Sequence, residues 1–85
     1  MEQTTDRLNK LFTERFSGAL AELEEYPGTQ KVGGYLIWDG FEGIEPLDRQ
    51  RQLSRVLRDG IGGDYRSRVT TILTVTPAEI EVMRT

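Results

Sequence analysis

The 85-residue chain has no cysteine and no histidine. Their absence removes thiolate nucleophiles, imidazole bases, disulfides and nearly all zinc or iron–sulfur ligation by this chain alone. No apolar run approaches the roughly 20 residues that a membrane helix needs. The start, Met-Glu-Gln-Thr-Thr-Asp, is polar and acidic, unlike a secretory signal. Neither a Walker A loop nor a dinucleotide fingerprint occurs. The acidic run Asp39, Glu42, Glu45 and Asp48 fits no cation-binding loop and reads as solvated surface. Carboxylates acting as acid and base would also need burial to separate their pKa values. These absences predict a cytoplasmic protein that is not an enzyme and carries no cofactor or metal of its own.

What is present is a small domain with a marked charge asymmetry. At 36% hydrophobic and 29% charged residues, the composition is that of a folded soluble chain rather than a disordered one. Residues 1–85 are read as a single domain, small enough that a partner or a second copy would help its stability. The net charge of −3 conceals two blocks of opposite sign. Residues 1–48 sum to −6, whereas residues 49–68 sum to +4 through six arginines against Asp59 and Asp64. Arginine is the better side chain for forked contacts to phosphate or carboxylate.

Periodicity gives the elements in order. Leu8, Leu11, Phe12 and Phe16 form one apolar stripe, predicting a helix over 4–17 capped by Thr4 or Thr5 and stopped near Ser17-Gly18. Residues 19–26 have helix-forming composition, but the next strand needs a hairpin partner, so they are expected as a strand. Pro27-Gly28 is the turn and 31–38 the second strand, with Gly33-Gly34 marking a bulge or a close backbone approach. The apolar run Tyr35 to Trp38 suggests that both faces of this strand are covered. Pro46 starts a helix to about Asp59, with Leu53, Val56 and Leu57 inward. Leu47 is out of phase with them, leaving open a separate, angled first turn. Gly60-Ile61-Gly62-Gly63 is a loop, 68–75 the third strand, and Thr76-Pro77-Ala78-Glu79 the start of a last helix with Ile80 and Met83 inward. The resulting fold class is α+β, ordered α-β-β-α-β-α, a three-stranded sheet with helices packed on one face.

The chain resembles the BolA family, whose fold is similar to a class II KH domain. The likeness rests on Phe16-Ser17-Gly18-Ala19 ending the first helix, Phe41-Glu42-Gly43, Leu47-Asp48-Arg49-Gln50-Arg51 with Leu53 and Leu57, and Thr76-Pro77-Ala78-Glu79. It implies a first helix ending near Gly18, in agreement with a strand at 19–26. It also implies regulation, nucleic-acid binding, or partnership with monothiol glutaredoxins around a bridging iron–sulfur cluster. That last role uses a histidine just before or within the third strand. The matching position here is near Arg68, and the family's Arg-His pair in the central helix is Arg49-Gln50. No ligand residue carries over, so glutaredoxin-type cluster sharing is not expected of this chain.

Two uses of the surface are compatible with the sequence. In the first, a non-catalytic module binds a protein partner or a second copy through Trp38, Phe41 and the Arg51, Arg55 and Arg58 stripe. Trp38 and Phe41 suit either such a patch or the core. In the second, a KH-like domain binds nucleic acid through Arg49, Arg51, Arg55, Arg58, Arg66 and Arg68. A plainer alternative is a solvated helix face with pairs such as Asp48 to Arg51 or Arg55 to Asp59. The GXXG spacing of Gly60 to Gly63 is that of a KH phosphate clamp. A clamp lies between two helices, whereas polar residues and a strand follow here, so the loop is read as a helix cap and turn.

Overall fold

The computed structural model describes residues 4–85. The elements are α1 (Thr4–Arg15), β1 (Leu20–Tyr26), β2 (Lys31–Ile37), a 3-10 turn (Asp39–Phe41), α2 (Pro46–Gly60), a second 3-10 turn (Tyr65–Ser67), β3 (Val69–Val75) and α3 (Pro77–Arg84). This is the expected α+β order. The start of α1, with its Thr4 or Thr5 cap, lies at the limit of the described residues. Residues 20–26 are a strand despite their helical composition, because cross-strand pairing with β2 outweighs a weak local preference.

The sheet runs β1-β2-β3, with β1 antiparallel and β3 parallel to β2. Side chains alternate between its faces. Ala21, Leu36 and Ile72 join Leu8, Phe12 and Phe16 of α1 and Leu53, Val56 and Leu57 of α2 in the main core. The two long helices therefore share one face, as the amphipathic stripes require. α3 departs from the expected single helical face and turns back over the opposite one, because Ile80 packs there with Ile37, Val75 and half-buried Tyr35. The apolar run of β2 is thus covered on both faces near its end. Met83, expected inward, is exposed, because Ile80 alone reaches this small cluster. Leu47 is exposed too, but α2 is one continuous helix with no separate first turn.

The glycine pair in β2 has a definite cause. Gly34 sits at φ +137°, and a Cβ there would overlap the Glu22 carbonyl oxygen of β1. The β2–β3 register also shifts between Val32 and Gly34, so the bulge and the close approach coincide. At the far end of the sheet, Thr76 accepts from the Glu79 amide (3.2 Å) and Glu79 accepts from the Thr76 amide (2.8 Å). This is a complete capping box.

Urea denaturation checks both features. Thr76→Ala should lower the unfolding free energy by about 1 kcal/mol. Gly34→Ala should cost more, about 3 kcal/mol, because a left-handed backbone and an overlap with a neighbouring strand are both imposed. The reverse ranking would contradict this account of the hairpin.

Candidate functional site

The helical phase of α2 sorts the arginines. Arg49 is four residues before Leu53 and seven before Val56, so it falls on the inward stripe. It is buried, with its side chain only 8% exposed. Its Nε donates to the Ile44 carbonyl (2.7 Å), and one Nη donates to the Thr74 carbonyl (3.2 Å) and to the Glu79 carboxylate (2.6 Å). The guanidinium also lies 5.8 Å from the Phe41 ring centre. Arg49 is therefore corrected from a candidate nucleic-acid contact to a structural anchor, because it is buried and its Nε and one Nη are already committed inside the protein. The signal was present in its spacing to Leu53.

Gln50 extends this anchor. Trp38 N donates to the Val75 carbonyl (2.9 Å), so Val75 and Leu73 turn their main-chain groups toward β2. Ile72 and Thr74 consequently turn theirs toward the open edge of β3. Gln50 Nε2 donates to the Ile72 carbonyl (2.9 Å) while Arg49 holds that of Thr74. Adjacent α2 residues thus hold two outward carbonyls of β3, those of Ile72 and Thr74.

Arg51, Arg55 and Arg58 point the other way and are exposed. Arg66, carried by the second 3-10 turn, joins them. These four arginines, with Leu47, Gln50 and Ser54, line one depression of about 440 Å³. Leu47 is 61% exposed at this site. Asp48 pairs with Arg51 (3.3 Å), as its three-residue spacing predicts. Asp59 pairs with Arg15 of α1 (3.5 Å) and not with Arg55. Among the described residues, Arg55, Arg58 and Arg66 have no carboxylate partner within salt-bridge distance. Arg66 lies over the Tyr65 ring at 5.3 Å. Arg68 is exposed but does not line the depression.

The aromatic candidates sit elsewhere. Phe41 is fully buried, which removes it from any partner patch. Trp38 is half-buried between the Phe16 ring (5.2 Å) and the Phe41 ring (5.1 Å). Its indole N–H donates to the Ser17 carbonyl at 2.8 Å. It thus ties the end of α1 to the turn after β2. The structure does not bring these rings to the arginine depression.

The Gly60–Gly63 loop does lead into a helical turn, Tyr65–Ser67, which periodicity did not reveal because it is a single 3-10 turn. Even so, the amides of Ile61 and Gly62 both donate to the Leu57 carbonyl (2.8 and 3.4 Å). The loop closes α2 in the way a helix cap does. Beside it, a polar groove between α2 and β3 is lined by Lys31, Gln50, Ser54, Arg66, Thr70 and Thr71 over an apolar floor.

A two-helix layer on a mixed three-stranded sheet, with a third helix behind it, defines an α+β class. A BolA protein homologue from Coxiella burnetii superposes with a TM-score of 0.69 at 22% identity, over 95% of this chain and 99% of that one. A bol-like protein from Babesia bovis gives 0.63 at 17% identity, over 100% and 95%. The chain therefore has the BolA-like fold. No family model matches the sequence, and no curated protein matches it.

The Arg49–Glu79 pair makes a pH prediction. Arg49, and then the Thr76 amide, hold the Glu79 carboxyl below its ordinary value of 4.5. A carboxylate whose pKa falls on folding stabilises the protein above its unfolded pKa, and that stability is lost as pH falls through the folded one. The stability gap between wild type and Glu79→Gln should be full above pH 4.5 and close as the solution is acidified beyond it. A gap constant with pH would mean that the carboxylate charge plays no part.

Proposed function

We propose that this chain is a small non-catalytic binding module whose working surface is the arginine depression on α2. The observation that carries this reading is the convergence of Arg51, Arg55, Arg58 and Arg66 around exposed Leu47, with one carboxylate, Asp48, paired among them. Guanidinium groups beside an exposed aliphatic side chain suit a protein contact, where arginine is enriched and lysine depleted. The partner is an acidic protein surface. A second copy is disfavoured on this face, because a two-fold contact would set the same arginines against each other.

A second reading, single-stranded nucleic acid, draws support from the polar groove that shares Gln50, Ser54 and Arg66 with the depression. Against it stand the capped glycine loop and the net charge of −3.

One set of measurements separates them. A crosslinking pull-down from native cytosol should retain an acidic protein, and Arg55→Glu should remove it. An oligonucleotide should bind weakly even at low salt. Oligonucleotide affinity that is strong at low salt, falls steeply as salt rises and is lost in Arg55→Glu would instead favour the nucleic-acid reading.

A further inference from the structure

The two edges of the sheet are finished differently. On β3, side chains of α2 close the outward carbonyls of Ile72 and Thr74. On β1, nothing comparable occurs. In the register Glu22↔Tyr35 and Leu20↔Ile37, the odd-numbered residues of β2 face β1. Glu22 and Leu20 therefore bond to β2, while Ala21, Leu23 and Glu25 turn their N–H and C=O groups outward. Among the described residues no side chain hydrogen-bonds those outward groups. α1 lies over one face of β1 and not along its edge, since Ala21 is buried beneath it and Leu23 half-buried. An unpaired, seven-residue edge is a template for another strand.

The side chains beside the edge say which strand it suits. Leu20, Glu22, Glu24 and Tyr26 alternate onto the face away from α1. Leu20 and Tyr26 are 58% and 40% exposed at the two ends, with the acidic pair between them. Arg84 of α3 pairs with Glu22, whereas Glu24 and Glu25 are exposed and have no cation within salt-bridge distance among the described residues. An antiparallel pairing of two copies centred on Leu23 would set Glu22 directly opposite Glu24 twice. Like charges directly opposite destabilise a sheet. The edge is thus protected against itself and open to a strand of opposite charge.

We infer that β1 is a docking edge for an extended basic segment, with Lys or Arg at alternate positions and apolar residues flanking them, added antiparallel as a fourth strand. The main-chain groups of Ala21, Leu23 and Glu25 supply the pairing, and Glu24 selects the charge, Glu22 beside it being already paired with Arg84. This surface is separate from the arginine depression, so it stands or falls independently of that reading.

The test uses the whole chain and a capped eight-residue peptide of valine–lysine alternation. Peptide binding should slow amide hydrogen exchange at Ala21, Leu23 and Glu25 and leave β3 unchanged. Two controls should each weaken binding about tenfold or more: Glu24→Lys, and a peptide N-methylated on the amides that face the protein. The methylated peptide keeps its charge and needs no change in the protein, so misfolding cannot mimic the result. Equal binding of the methylated peptide would overturn strand addition, as would protection appearing on β3. Association of the chain with itself through β1, in place of peptide binding, would overturn the charge argument.

Discussion

Arg49 is the one charged side chain that the described fold takes out of water. Burying a guanidinium is costly unless it is paired and hydrogen-bonded. Here it reaches the Ile44 carbonyl before α2, the Thr74 carbonyl at the end of β3, and the Glu79 carboxylate of α3. Two stretches of chain 25 to 30 residues apart therefore meet at one planar group. Glu79 is held in turn by the Thr76 amide, so the capping box of α3 and the arginine anchor share a carboxylate oxygen. With Gln50 beside it, the anchor also holds two outward carbonyls of β3, those of Thr74 and Ile72.

The opposite edge, β1, keeps its outward main-chain groups, and the outward face of α2 keeps its uncompensated arginines. The charge blocks of the sequence thus become separate surfaces of the molecule. The acidic side chains Glu22, Glu24 and Glu25 lie on β1. Arg51, Arg55, Arg58 and Arg66 gather over α2 and the turn before β3. The molecule therefore presents two surfaces of opposite charge.

The sequence showed the layers of this fold more clearly than its contacts. Periodic leucines and phenylalanines marked α1 and α2, and Thr76-Pro77-Ala78-Glu79 marked the start of α3. β1 needed the pairing argument, because Leu-Ala-Glu-Leu-Glu-Glu has helical composition and cross-strand hydrogen bonds are not local. Arg49 was grouped with the exposed arginines because residue type dominated the reading over helical phase. Its spacing to Leu53 was legible, but its partners Thr74 and Glu79 are 25 and 30 residues away. Likewise, nothing local indicated that Arg66 would join the α2 stripe, since a one-turn 3-10 helix carries it there. Trp38 could not be placed from its strand position, because its partner Ser17 lies across the sheet-to-helix joint.

The most direct test of this account is a double-mutant cycle on Arg49→Met and Glu79→Gln, read from urea unfolding at neutral pH. If the pair joins α2 to α3, the two changes should be non-additive, with a coupling of about 1 kcal/mol or more, because residues in one hydrogen-bond network do not contribute independently. Additive effects would contradict it.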